Sequence, residues 1–270
     1  VIDIHTLALE LVAAYAERRP LPTPPSARDG LDLPTAYAVE GELVRMRRAA
    51  GGRIVGVKVG YANKAMWRVL KLDTLVWAHM YDDTVRHASA NDATLSIAQM
   101  ISPKIEPEIV FKMKAPLGAG VTDAAAALAS VEWLALGFEI IDCPFADWKF
   151  QPVDFVAAYG LHAALIVGDP RPVTAANAGE LAQQLPVFAV RLFKDGQLVQ
   201  EGSGRNSLRS PALCLAELAS AMAKQDGGEP LAAGDLVSSG TLTESTPIQS
   251  GATWTASVEG IALPALSVHV

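Results

Sequence analysis

Glu106 and Glu108 stand two residues apart in ISPKIEPEIVFKM (101–113), among Ile, Val and Phe residues that otherwise read as a buried strand. Residues i and i+2 of a β-strand point to one face, so the two carboxylates project side by side. Glu139, in LGFEIIDCPF, is another acid at the start of an apolar strand. Left unpartnered inside a protein, each carboxylate carries a desolvation penalty of several kcal/mol. A divalent cation removes that penalty. Carboxylate oxygens are hard ligands suited to Mg²⁺ or Mn²⁺, and three monodentate glutamates leave about three of six octahedral positions for water or a chelating substrate. The alternative at this level is a solvated strand face on which Lys104 and Lys112 pair with the acids. Glycoside-hydrolase chemistry fits less well, because carboxylates two apart on one face do not flank a bond from opposite sides.

Other residues that could do chemistry are scattered. Lys58 alternates with valines in GVKVG, as a lysine on an edge strand or as a cation turned inward. Asp82 and Asp83 in MYDDTV suit a turn. His79 lies in WAHMYDD, and His162 in LHAALIVG reads first as a core histidine on an apolar strand. Cys143 and Cys214 have no CxxC spacing and read as small buried hydrophobes, without a zinc site or a disulfide framework.

Positioning such residues requires a sizeable core, and 270 residues of which 50% are apolar supply one. The formal charge of -7 argues against a nucleic-acid or anionic-membrane surface, and the one basic run, VRMRR at 44–48, reads as a solvated helix face. The longest nearly apolar run, LHAALIVG, is far short of the roughly 18–20 residues of a membrane helix, and no charged leader precedes an apolar segment. The expectation is a cytoplasmic protein without membrane or nucleic-acid partners.

Helical spacing of apolar residues predicts a helix in IHTLALELVAAYAERR, a proline-rich break in RPLPTPPSARDG, and a second helix in TAYAVEGELVRMRRAA. Residues 1–50 therefore read as an N-terminal helical region and 51–270 as the main body. Short β-rich pieces follow: RIVGVKVG, KIEPEIVFKM, FEIIDC, HAALIVG, FAVRLFKDGQLVQEG, DLVSSG, TWTASVEG and ALSVHV. Two further helices are predicted among them. TDAAAALASVEWLAL has Thr122 or Asp123 as N-cap, and SPALCLAELASAMAKQ has Ser210 as cap and Pro211 at the first helical position. KDGQ reads as a hairpin turn, so the body is mixed or antiparallel rather than built of βαβ units.

IVGVKVG, SPKIEPEI and GFEIID, in that order and spacing, together with GDLVSSG and a closing VEG, make the chain resemble the fumarylacetoacetate hydrolase superfamily. The likeness runs through most of the chain and is strongest to the branch of 2-hydroxypentadienoate hydratases, 2-oxohept-4-ene-dioate hydratases and 4-oxalocrotonate decarboxylases. It implies an α+β fold, a mixed β-roll with an N-terminal helical extension, assembled as a dimer or larger homo-oligomer. It implies that Glu106, Glu108 and Glu139 hold Mg²⁺ or Mn²⁺, and that Lys58 faces the metal site to hold a substrate carboxylate or stabilise an enolate. Asp83 matches an acid that recurs in the family as proton shuttle or supporting group. Ser239, Gly240 and Thr241 replace the family's T-G-x and would cradle the carboxylate of a small 2-oxo acid, with Tyr159 and His79 nearby. Trp148 and Lys149 would shape the pocket wall.

The resemblance implies hydration of 2-hydroxy-2,4-dienoates to 4-hydroxy-2-oxo acids in the breakdown of ring-cleavage products. Metal-dependent decarboxylation, C–C hydrolysis of 1,3-dioxo acids, and a non-catalytic metal-holding partner subunit are the alternatives. Several positions depart from the branch. Val76 stands where hydratases carry an acid and decarboxylases an isoleucine. Ala158 and Tyr159 replace Asp and Asn of A-D-N-A-S, and the L-G-H-P segment becomes LRSP, with Ser210 for the histidine. These losses predict a less polar pocket beyond the metal-chelating head and a preference for acids with an uncharged tail.

Overall fold

The computed structural model describes residues 2–225 and 230–270. Asp3 accepts a hydrogen bond from the Thr6 N–H and opens α1 (Ile4–Ala16), and Asp32 does the same through Thr35 for α2 (Leu33–Ala49). The other helices are α3 (Lys64–Leu70), α4 (Ala124–Leu128), α5 (Pro152–Ala157), α6 (Ala178–Gln184) and α7 (Pro211–Met222). The strands are β1 (Ile54–Gly60), β2 (Val76–Tyr81), β3 (Val85–His87), β4 (Asp92–Thr94), β5 (Pro103–Met113), β6 (Val131–Asp142) and β7 (His162–Val167). They continue with β8 (Arg171–Pro172), β9 (Ala189–Lys194), β10 (Gln197–Ser203), β11 (Leu236–Ser238), β12 (Thr246–Pro247), β13 (Thr253–Glu259) and β14 (Leu266–His269).

Two sheets form the body, and both are mixed. The larger runs β2-β1-β11-β5-β6-β7-β3, with β12 on β5 and β8 on β6. Its β1–β11 and β3–β7 pairs are parallel and the rest antiparallel. The smaller runs β10-β9-β13-β14-β4. KDGQ does turn a hairpin between β9 and β10. Asp195 and Gly196 have φ of 49° and 79°, the paired positive values that match the twist of the flanking strands.

The expected helix over TDAAAALASVEWLAL is divided between a short helix and a strand. Asp123 caps it, accepting from Ala126 N–H at 2.9 Å, but α4 ends at Leu128 and Val131–Asp142 runs as β6 against β5. A strand covered on both faces is apolar throughout, so it carries no alternation to distinguish it from a helix. Glu139 therefore lies well inside a strand. Ser210 occupies the N-cap position of α7 without a capping bond from its side chain, while Pro211 opens the helix as expected. Helices α3, α5 and α6, of seven, six and seven residues, are too short to show a period.

The main core fills the body, with Val57, Ile105, Ile109, Phe111, Phe138 and Trp254 among its fully or nearly fully buried members. A second core joins Leu7 and Leu11 of α1 and Val39 and Leu43 of α2 to Val76, Ile141, Phe155 and Leu161 of the body. The helical region and the β body thus share buried side chains across the boundary drawn at residue 50. No helix among the described residues is long and apolar enough to cross a membrane.

Candidate metal centre

The β5–β6 register sets the geometry. Glu106 lies directly opposite Glu139, and Glu108 opposite Gly137. Like charges facing each other across a ladder destabilise a sheet, yet one oxygen from each of Glu106, Glu108 and Glu139 lies within 4.8 Å of the others. Glu108 and Glu139 are fully buried. Lys104 and Lys112 form no ion pair with them: Lys104 stacks over the Trp148 ring, 3.8 Å from its centroid, and Lys112 bonds the Gly234 carbonyl. The solvated-face reading is thereby removed.

Each acid is held differently. Glu108 Oε2 accepts from Ser238 Oγ at 2.5 Å and from the Gly240 N–H at 2.8 Å, whereas its Oε1 is buried without a partner. Gly240 has φ of +89°, and a Cβ there would lie 2.8 Å from Ala62 Cβ, so glycine is what lets the backbone close over the carboxylate. Glu139 Oε1 meets His162 Nδ1 at 2.9 Å, and the other ring nitrogen of His162 meets Thr84 Oγ1 at 2.9 Å. Lys58 Nζ is 3.0 Å from Glu139 Oε2, at ion-pair distance but poorly aligned for a hydrogen bond, and donates to the Gly160 carbonyl at 3.0 Å.

Burial and mutual repulsion set the proton affinities. Burial, with Glu139 opposite, raises Glu106 to about 7 against the pull of Lys58. Burial beside Glu139 and Glu106 pushes Glu108 well above the carboxylate range. Glu139 is instead held below its usual value, because Lys58 and His162 outweigh its burial. Lys58, although buried, is raised because Glu139, Glu106 and Glu108 surround it, and so it remains a cation.

The donor set fits a hard divalent ion: all ligand atoms are carboxylate oxygens, one is an orphan inside the protein, and once the three acids are ionised their charge of -3 with +1 from Lys58 leaves -2 to neutralise.

A chamber of about 270 Å³ opens onto the cluster, lined by Lys58, Glu106, Gly240 and Thr241 on its polar side. Tyr61, Ile141, Trp148, Phe150, Phe155 and Leu161 form its other wall. Trp148 shapes the wall as expected, while Lys149 reaches Asp147 at the surface. Thr241 faces the chamber, with its hydroxyl donating to the Thr243 carbonyl. Ser239 is buried behind it: its N–H bonds the Ile109 carbonyl and its own carbonyl accepts from Ser207 Oγ.

Three expected participants lie elsewhere. Asp83 is a surface residue paired with Arg47, outside the chamber, because the turn between β2 and β3 carries it away. His79 meets Glu40 at 2.7 Å, and both His79 and Tyr159 line a rear cavity of about 380 Å³ with Tyr15, Arg47 and Tyr81. His162, read as a core histidine, is buried with both ring nitrogens partnered, and one of them orients Glu139. Its signal was only the histidine itself, since β6 and β7 bring the pair together across a bulge between Ile140 and Ile141. A second, outer cavity of about 620 Å³ shares Ala62, Asn63, Asn206 and Thr241 with the chamber. It also holds Lys64, Arg205 and Arg209, which the sequence did not single out.

Residues 54–268 match the family described as fumarylacetoacetate (FAA) hydrolase, C-terminal. A 2-hydroxypent-2,4-dienoate hydratase of Pseudomonas putida is 32% identical, covering 81% of this chain and 95% of the relative. A 2-hydroxyhexa-2,4-dienoate hydratase of Comamonas testosteroni is 28% identical, covering 96% of this chain and 94% of the relative. The structure of 4-oxalocrotonate decarboxylase from Pseudomonas putida G7, complexed with magnesium and adipate, superposes with a TM-score of 0.87 at 25% identity, covering 98% of this chain and 96% of that one.

Proposed function

Because the chain belongs to the fumarylacetoacetate hydrolase family, we propose that it is a divalent-metal-dependent hydratase that converts 2-hydroxy-2,4-dienoate acids into 4-hydroxy-2-oxo acids. The observation that carries this reading is the convergence of Glu106, Glu108 and Glu139 on one point beside a buried, charged Lys58. Those glutamates hold Mg²⁺ or Mn²⁺. When bound, the ion polarises the substrate's C2 oxygen and offers a mount for its C1 carboxylate.

The protein's own groups do the rest. An ammonium has three donors, and Lys58 directs one to the Gly160 carbonyl and lies against Glu139 with another. Its Nζ also lies 4.6 Å from the centroid of the Phe155 ring, and Lys58 lines the chamber, where its charge stabilises the negative charge that develops in the C2 enolate. A lysine that stays protonated supplies this charge without a proton transfer. Tyr61, Phe150, Phe155 and Leu161 enclose the diene and exclude bulk water, which strengthens the field of Lys58. In the overall balance the C2 enol becomes a ketone, a proton adds at C5, and water adds across C3 and C4.

Decarboxylation of a vinylogous oxo acid passes through the same enolate, and one observation favours it as the second reading. Val76, where hydratases carry an acid, is fully buried in an apolar cluster with Phe155 and Leu161. Following dienol absorbance and CO₂ release in parallel with Mg²⁺ separates the two, and CO₂ release without hydration would replace the main reading. Lys58→Met should weaken oxalate, the simplest mimic of the chelating head, by about 10- to 100-fold, in line with loss of a charge-assisted hydrogen bond. Unaltered affinity would remove Lys58 from the site. The reading extends to a homo-oligomer working in the cytoplasm on ring-cleavage products, and light scattering of the purified protein and cell fractionation test its first two parts.

A further inference from the structure

We infer that the outer cavity is the tail subsite of the same active site and that Arg209, with Arg205 and Lys64, selects substrates carrying a second anionic group. The inference rests on the metal-dependent reading above and specifies its substrate.

The two cavities are one continuous space, since Ala62, Asn63, Asn206 and Thr241 line both. A substrate whose head lies at the glutamates and Lys58 has an aromatic and aliphatic wall beside it, and the space continuous with the chamber leads to the cations of the outer cavity. Charge there is contrary to the chain's overall balance of -7. Lys64, Arg205 and Arg209 line it, against Glu201 and Glu244. Glu201 is engaged by Arg191 at 3.2 Å, and neither Arg205 nor Arg209 has an ion pair among the described residues. Two exposed guanidiniums without carboxylate ion pairs line a cavity continuous with the metal chamber, and each guanidinium has the planar donor fork that suits a carboxylate.

The backbone holds Arg209 in place at a cost. Leu208 and Arg209 have φ of 47° and 68°, values glycine adopts freely and other residues rarely do. The Leu208 N–H bonds the Ala62 carbonyl and the Arg209 N–H bonds the Arg205 carbonyl, both at 2.9 Å, so the segment is fixed to the chamber's own rim. This is the LRSP segment, in which arginine stands where the resembling L-G-H-P pattern has glycine. The segment that loses a histidine at Ser210 therefore gains a cation beside it at Arg209, which reverses the uncharged-tail expectation drawn from Val76, Ala158, Tyr159 and Ser210.

The test compares 2-oxoadipate with 2-oxohexanoate, which share head and chain length and differ in the terminal carboxylate, and uses oxalate as a head without a tail. Calorimetric titrations with Mg²⁺ would cover the unsubstituted protein, Arg209→Gly and Arg205→Ala/Arg209→Gly. Glycine suits the left-handed backbone, so the variant fold is expected to hold, and circular dichroism checks it. The unsubstituted protein should bind 2-oxoadipate at least about tenfold more tightly than 2-oxohexanoate, with the ratio shrinking as salt is added. The ratio should approach one in Arg209→Gly while oxalate affinity stays within about twofold. Equal binding of the two tailed acids by the unsubstituted protein, or an undiminished ratio in the double variant, overturns the inference. Oxalate that fails to bind with Mg²⁺ would instead overturn the metal-dependent reading itself, and this inference with it.

Discussion

The two sides of Glu139 are built on opposite principles. On the chamber side, charges are buried and incompletely paired: Glu108 Oε1 has no partner, and Lys58 is shared between Glu139 and the Gly160 carbonyl. On the rear side, the charged groups are already matched, Arg47 with Asp83, His79 with Glu40, and the Asp142 carboxylate with the N–H groups of Ile101 and Ser102, and the buried group left over, the Tyr81 hydroxyl, is neutral. Pairs that neutralise each other hold structure and have little left to offer a ligand. Affinity for an ion and its chelating partner resides where neutralisation was left unfinished.

The largest effect should come from replacing the residue between the two sides. Glu139→Gln keeps the shape but removes a full ligand charge and the anchor for both Lys58 and His162, so Mg²⁺ affinity should fall on the order of 1,000-fold. Metal-dependent turnover should vanish with it, and calorimetric titration of Mg²⁺ decides the point. Undiminished affinity would move the metal elsewhere. Next comes His162→Leu, which cuts the link from the rear side to the ligand. Groups that orient a ligand are worth about 10- to 100-fold in metal affinity, and the same titration measures it; an affinity unchanged in this variant would make His162 a packing residue.

A pH series sharpens the contrast further. Without metal, the folded pKa of Glu106, about 7, and that of Glu108, pushed well above the carboxylate range by burial, both exceed the unfolded value of 4.5. Between the unfolded and folded values the folded chain binds more protons than the unfolded one, so metal-free stability falls as pH rises through that window. Glu139, held low, acts with the opposite sign, but its window lies below the ordinary carboxylate range. Because the ion binds the deprotonated acids, the melting-temperature gain on adding Mg²⁺ should be larger at about pH 8 than at about pH 6. An equal gain at both, measured by scanning calorimetry, would mean the acids are ionised before the metal arrives. The smallest effect is expected from the rear side: Asp83→Asn breaks a surface pair worth at most about 1 kcal/mol, and kcat should change less than about twofold. A large loss of turnover would restore Asp83 as a proton shuttle.

What the sequence made legible follows the same division. Glu106, Glu108 and Glu139 were readable because strand geometry converts a spacing of two into a shared face, and a register then needs only one further strand. Lys58 was readable only through the family resemblance, since alternation with valines suits an edge-strand lysine equally well. Asp83 and His79 were not, since turns and short strands carry no period from which the direction of a side chain can be derived. Arg209 was missed for another reason: its influence depends on a left-handed backbone and on the contact of residue 208 with Ala62, both tertiary facts. The lower half of the expected helix at 122–136 was lost to β6 because burial on both faces erased the alternation.

Phe155 and Leu161 belong both to the chamber wall and to the core that Leu7, Leu11, Val39 and Leu43 complete. For protein engineering, the N-terminal helices are therefore not a detachable cassette. Grafting a relative's helices onto this body, or trimming them for expression, would change the contour against which the diene rests, so libraries aimed at new substrates should vary residues of α1 and α2 together with those of the wall.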